Sequence, residues 1–315
     1  AVKDLAMAYK TNFAIRRKNP NHQFDIYFRS RKDVQSIVIP RANINIVDGG
    51  LVIYPKMLTT EPIRTRCPVS KPEADWRLFK DRLGRWFLYI PTDVEVNSVA
   101  GENQAGNVCS LDPGVRTFLT SWSPDGTSYK FGNGFGTRIY EGLLRMDGLQ
   151  SSIDKCQGRK KYRMKKVLAG RRIRHENVMR DFHYQVAHQL ASLYSTIIIP
   201  VFGSKAMSAK SGRKLRTKTV RSMLGLNHYA FRQRLKDVCE RKGCRVFECT
   251  EEYMSKTCSC CGWIHDKLSS VKVFRCGACD NVVDRDLQGA FNIYLKFYKE
   301  NSGHFVSGGH PTLVP

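Results

Sequence analysis

The sequence predicts an α+β, multidomain chain: a small all-β domain, then an α/β domain interrupted by a metal-binding insert. Three observations predict it. Two CxxC pairs, Cys258/Cys261 and Cys276/Cys279, are separated by fourteen residues. Residues 22–107 alternate apolar and polar side chains between Gly and Pro breaks, the mark of strands. From Val108 onward, strand-like runs alternate with helical ones, and acidic residues stand at the joints.

The cysteine spacing lets two tight turns bring four thiolates around one tetrahedral Zn²⁺ as a structural ion. Carboxylates flank the cluster, Glu251 and Glu252 before it, Asp284 and Asp286 after it. The module therefore reads as an insert between two acidic positions that folding brings together. A free-standing zinc ribbon with acidic flanks is the plainer alternative.

Residues 1–17 read as a helix with a basic end, broken at Asn19-Pro20-Asn21. The segments FDIYFRSR, SIVIP, INIVDGGLVIYP and WRLFKDRLGRWFLYIP follow, with turns at Asp48-Gly49-Gly50 and Arg82-Leu83-Gly84. Together they predict a small β-barrel or a strongly curved sheet. Arg29, Arg31 and Lys32 are either phosphate contacts or a solvated strand face. VCSLDPGVRTFLTSWSPDG is a strand, a Pro-Gly turn, a second strand and a hairpin. Asp112 ends the first strand, where a buried acid is costly unless paired or metal-bound; its other reading is a turn former before Pro113.

Residues 136–195 predict a helical hairpin that breaks near Gln157-Gly158. Its middle, RKKYRMKKVLAGRRIRHEN, is basic, and Phe182, Val186, Leu190 and Leu193 form an inward stripe. STIIIPVFGSKAMS is a buried strand ending at Pro200, and residues 208–221 read as a polar, mobile loop. Residues 228–243 are an amphipathic helix closed by Gly243. CRVFECTEEY is a strand that delivers Glu251 and Glu252, and DRDLQGAFNIYLKFYKE starts the last helix with Asp286 near its N-terminus. The tail SGGHPTLVP reads as flexible.

The 315 residues carry a net charge of +24, which points to a polyanionic partner, nucleic acid before membrane. If about ten of these charges meet phosphates, binding falls by several orders of magnitude as salt rises. Of the eleven cysteines, the seven outside the two CxxC pairs show no paired framework, which fits a reducing compartment. No apolar run reaches membrane-spanning length, and no signal peptide opens the chain. The chain begins at Ala1 inside a helix, so its first domain is expected to be cut. Three carboxylates converging at one sheet edge are what two Mg²⁺ ions need for phosphodiester hydrolysis. A metal-dependent nuclease is thus the reading the residues favour.

LDPGVRTFL, EEYMSKTCSCCG, FRCGAC and DRDLQGAFNI resemble the RNase H-like, RuvC-type nuclease of the TnpB/Fanzor family, most of all its eukaryotic Fanzor members. The resemblance implies residues 1–21 as the end of a helical recognition lobe and 22–107 as a wedge β-barrel. It implies a RuvC-like nuclease at 108–257, a zinc ribbon binding target nucleic acid at 258–281, and the last part of the nuclease with the tail at 282–315. It implies an RNA-guided DNA endonuclease, monomeric in its complex with a guide (omega) RNA and a target duplex carrying a short flanking motif, with no membrane partner. It carries Asp112, Glu251 and Asp286 over as catalytic Mg²⁺ ligands, with Glu252 and Asp284 as alternatives to the last two. Cys258, Cys261, Cys276 and Cys279 become the Zn²⁺ ligands, and Cys260 a bystander. Pro200, seven residues before Met207, stands where bacterial members have the middle acid, so Glu251 is the expected replacement. A eukaryotic or viral source implies the nucleus; otherwise the cytoplasm is expected. A nuclease-dead guided DNA binder and a guide-free resolvase or transposase are the competing readings.

Overall fold

Period-two alternation and two left-handed turn residues build the first part of the chain. The structure is a computed structural model that describes residues 2–26, 34–55, 57, 61–65, 68–69, 71–81, 83–93, 107–203, 207–208, 215–250, 255–265 and 271–301. The chain divides into two units, Ala1–Asp93 and Val94–Pro315. Arg29, Arg31, Lys32, Arg82, Glu251, Glu252 and the tail lie outside the described residues.

The first unit opens with α1 (Val2–Lys18), which has Asp4 in its first turn and Arg16, Arg17 and Lys18 in its last, matching the helix dipole. Six strands follow: β1 (Gln35–Ile39), β2 (Ile44–Val47), β3 (Gly50–Ile53), β4 (Ile63–Arg64), β5 (Trp76–Lys80) and β6 (Trp86–Tyr89). They form two three-stranded antiparallel sheets, β1–β5–β6 and β2–β3–β4. Asp48 and Gly49 join β2 to β3 with φ of 50° and 72°, the two positive values a tight hairpin requires. Ile39, Ile44, Leu51 and Trp76 form one buried cluster shared by both sheets.

The second unit is a mixed sheet clad on two faces. Its strands are β7 (Val108–Pro113), β8 (Leu119–Trp122), β9 (Ser128–Phe131), β10 (Thr196–Pro200) and β11 (Arg245–Cys249), in the order β11–β10–β7–β8–β9. The first three are mutually parallel and the other two pair antiparallel. Its helices are α2 (Phe135–Asp154), α3 (Gly158–Leu193), α4 (Thr217–Leu226), α5 (His228–Lys242) and α6 (Arg285–Asn301). A hairpin of β12 (Val273–Arg275) and β13 (Val282–Asp284) precedes α6. On one face Cys109, Leu111, Ile197 and Ile199 pack against Val186 and Leu190 of α3 and Leu235 and Val238 of α5. On the other, Ile198, Phe247 and Cys249 pack against Ile293, Tyr294 and Phe297 of α6.

The helical hairpin breaks between α2 and α3 where Gln157-Gly158 predicts it, and Gly243 closes α5 at φ 70°. The expected polar loop over 208–221 is corrected: α4 begins at Thr217, because Val220, Met223 and Leu226 recur at helical spacing and are all buried. β11 ends at Cys249, so the strand expected to reach Glu251 is described only up to that point.

An aromatic stack fixes the helical face. Phe118, fully buried, meets Phe182 and Phe231 edge-on and lies parallel to His228 at 4.7 Å. Arg234, a donor only, contacts His183 Nδ1 at 2.8 Å, so that nitrogen accepts and Nε2 donates to the Leu226 carbonyl. His228 Nε2 lies 3.0 Å from the Gly114 carbonyl. Burial holds both imidazoles neutral, with pKa values lowered to about 4.

Two predictions follow from this core. Phe118→Ala lowers the unfolding free energy by about 3–5 kcal/mol, measured by denaturant melts. Because both histidines have depressed folded values, the unfolded chain binds more protons as pH falls below 6.5. The contribution of the two histidines to stability therefore declines from pH 6.5 to about 4 and is constant below, by a few kcal/mol in total; replacing both by Gln flattens that part of the profile.

Candidate acidic site and cysteine cluster

Helix α6 carries Asp286 and, at Gly289, receives Asp112 from the sheet. It follows directly from β13, and Asp284 sits at the junction. Asp284 Oδ1 accepts from the backbone N–H groups of Asp286 (3.0 Å) and Leu287 (3.2 Å), which makes it the N-cap of α6. Its Oδ2 meets Lys130 Nζ at 2.6 Å. Burial alone raises the Asp284 pKa, but the Lys130 ammonium and the two N–H donors outweigh it and hold the carboxyl below its usual value. Asp284 thus serves the helix start.

Asp286, in the first turn of α6, is partly buried and behaves oppositely. Burial first, then the neighbouring Asp284 charge, raise its pKa; Lys130, Arg285 and Arg116 only partly offset this. A carboxylate in that position is short of positive charge, and that deficit suits a cation.

Asp112 comes from the centre of the sheet. It lies on β7 opposite Thr120, which pairs in turn with Lys130 on β9, so the three form one rung. Its carboxylate is seated against α6: a Cβ built on Gly289 would stand 2.9 Å from Asp112 Oδ2 and 3.0 Å from its Cγ. Only a residue without a side chain admits that approach. Two positions before Asp112, Ser110 Oγ donates to the Ala290 carbonyl at 2.7 Å, closing β7 onto the helix. Asp112 and the first turns of α6 that carry Asp286 and Gly289 are therefore brought together. Glu251 and Glu252 lie outside the described residues, and Pro200 is buried at the end of β10, where it offers no carboxylate.

The four cysteines are gathered. Their sulfurs all lie within 4.8 Å of one another, with Cys258–Cys279 at 3.7 Å and Cys261–Cys276 at 3.5 Å. A tetrahedral Zn–S₄ site has sulfurs about 3.8 Å apart, so the donor set fits. Each CxxC is a tight turn followed by a left-handed residue, Gly262 (φ 77°) and Asp280 (φ 54°). Burial raises the Cys258 thiol, yet the backbone N–H groups of Cys261 and Cys260 and the thiols of Cys276 and Cys279 bring it down to about 6. Among the described residues this is the group of three or more potential ligands that a metal would find. The arrangement is compatible with a zinc ribbon.

The cluster is tied to the acidic site by two amides that the sequence reading overlooked. Gln288 Nε2 (2.6 Å) and Asn292 Nδ2 (2.8 Å) both donate to the carbonyl of Thr257, the residue before Cys258. Their spacing of four, flanking Gly289, was the available signal: it puts both amides on one face of α6. Lys130 was also overlooked, since it stands 154 residues from Asp284 in sequence and meets it only in the fold.

Residues 228–293 match the family model described as Cas12f1-like, TNB domain. Protein A625R of Paramecium bursaria Chlorella virus 1, named as a transposase, is 31% identical over 309 residues, 96% of this chain and 69% of its own length. The TnpB-like protein L79 of Acanthamoeba polyphaga mimivirus is 27% identical over 86% of this chain. The chain spans only 51% of that relative. A chain in a solved Cas12f1–sgRNA–target DNA complex overlays with a TM-score of 0.48 at 13% identity, covering 70% of this chain and 45% of that one, a likeness too distant to bear on function.

The geometry predicts separable roles for the two aspartates. Asp284→Ala removes the cap and lowers stability by about 1 kcal/mol, whereas Asp286→Asn leaves stability unchanged or raises it, because a charge-starved carboxylate becomes neutral. Thermal melts of the two variants at neutral pH decide the point.

Proposed function

Since the chain belongs to the TnpB family, we propose that it is an RNA-guided DNA endonuclease with one RuvC-like acidic site and a Zn²⁺-stabilised ribbon. The observation that carries the reading is the seat of Asp112 against Gly289, beside the turn of α6 that presents the charge-deficient Asp286. The mixed sheet, with an acid at the end of its central strand, supports an RNase H-like assignment for this unit. The net charge of +24 supports a guide RNA and a DNA duplex as partners, with base pairing reading sequence and the protein holding backbones.

Asp112, Asp286 and Glu251 would hold Mg²⁺, which when bound supplies an activated water and charge compensation at the leaving oxygen. The residues of the chain do the rest. Gly289 and Ser110 keep β7 and α6 close enough to present Asp112. Asp284 and Lys130 fix the start of α6, and so the position of Asp286. Glu251 would supply the carboxylate that Pro200 lacks, with Glu252 as the alternative. This replacement for Pro200 is the Fanzor-like feature of the chain. Cys258, Cys261, Cys276 and Cys279 would hold Zn²⁺, neutralising thiolates that otherwise repel one another.

The absence of a side-chain carboxylate at Pro200 gives the second reading, a guided DNA binder that does not cut. The test is cleavage of matched DNA by protein carrying its copurified RNA, with Mg²⁺. Cutting by the parent, reduced at least about a hundred-fold by Asp112→Ala, Asp286→Ala and Glu251→Ala but not by Glu252→Ala, is the expected outcome. Gly289→Val lowers turnover far more than guided DNA binding. RNA-dependent binding without any product establishes the binder instead, and cleavage without RNA returns a guide-free nuclease. Elemental analysis of the purified chain finds one Zn per molecule, lost in Cys258→Ser/Cys276→Ser.

A further inference from the structure

One face of the β1–β5–β6 sheet has no part in the sites above. Strand alternation turns Trp76, Leu78 and Leu88 into the core of the first unit and sends the intervening residues outward. Register aligns Ser36, Phe79 and Phe87 in one row and Val38, Arg77 and Tyr89 in the next. Phe87 is 41% exposed, Tyr89 54% and Val38 49%. The rings form a group, Phe79 lying 6.2 Å from Phe87 and 5.8 Å from Tyr89. Arg85 adds a fixed cation: its Cζ stands 5.4 Å over the Phe87 ring, and its Nε is held by Asp81 at 2.7 Å. Asp81 is itself locked by the N–H groups of Leu83 and Arg85. Neither row contains a carboxylate.

Exposed rings grouped on a sheet face mark a binding surface. Its charge selects the occupant. Arg77 lies in the central strand among the rings, and covering it with an apolar protein segment would bury a guanidinium without an anion. A single strand of nucleic acid meets both demands, since any base stacks on an aromatic ring while arginines follow the phosphates. Among the described residues β6 is an edge strand.

We propose that this face is a stacking platform for single-stranded nucleic acid, with bases on Phe87 and Tyr89 and phosphates on Arg77 and Arg85. The proposal deepens the nucleic-acid reading above by naming a single-strand contact, and it requires no cleavage. The experiment is fluorescence anisotropy of the full chain with labelled oligouridylate, with oligothymidylate and with a DNA duplex, in the absence of added divalent metal. Phe87→Ala/Tyr89→Ala raises the Kd for one or both single strands about ten-fold or more and leaves duplex binding unchanged; Phe87→Trp/Tyr89→Trp restores the affinity. The relative loss for the two strands separates an RNA from a DNA contact. A strand carrying 4-thiouridine crosslinks to the peptide containing residues 86–89. Unchanged single-strand affinity in the alanine variant overturns the proposal, as does an equal loss for duplex. Absence of the crosslink also overturns it and is the result expected if another protein segment covers this face. Since binding alone is read, failure of guided cleavage and failure of the platform are told apart.

Discussion

The close approach of α6 to β7 governs the second unit. A helix normally stands off a sheet by the thickness of its side chains. Here Gly289 and Ala290 remove that thickness, and Ser110 Oγ reaches the Ala290 carbonyl directly. The Asp112 carboxylate occupies the space that a side chain at position 289 would fill. The contact seats Asp112, on the central strand, against Gly289 of the last helix, one turn beyond Asp286.

The same helix anchors the cysteine cluster at both ends. The chain leaves the cluster along β13 and enters α6 at Asp284, with no linker between strand and helix. It enters the cluster through Thr257, whose carbonyl is gripped by Gln288 and Asn292. The insert therefore rests on the helix that carries Asp286, so ordering the ribbon and ordering the acid are one physical problem. Lys130 extends the coupling to the outer strand β9 through its ion pair with Asp284. Exposed pairs contribute little to stability; this one matters for the direction in which it holds the helix start.

Much of this was legible in residue order because it depends on short-range rules. The helical hairpin broke where Gln157-Gly158 predicted, Gly243 capped α5, and Asp48-Gly49 made a hairpin turn, each from backbone preference alone. The segment after residue 208 misled for a local reason as well. Its run of Lys, Arg, Ser and Thr hides a buried stripe of Val220, Met223 and Leu226, which becomes significant only once α2 and α3 offer a surface to cover.

By itself the sequence singled out the candidate ligands and acids. Two CxxC spacings define a cysteine cluster, and an aspartate at a strand end and another at a helix start define candidate sites, because cysteine pairing and strand or helix ends are local properties. Only the tertiary structure decided which groups share a site and what each one does there. Asp284 and Asp286 are indistinguishable as letters two apart. The fold gives the first to the helix N–H groups and Lys130 and leaves the second charge-deficient on the helix against which Asp112 is seated. That division depends on burial and on Lys130 brought from β9, a proximity that no spacing along the chain encodes.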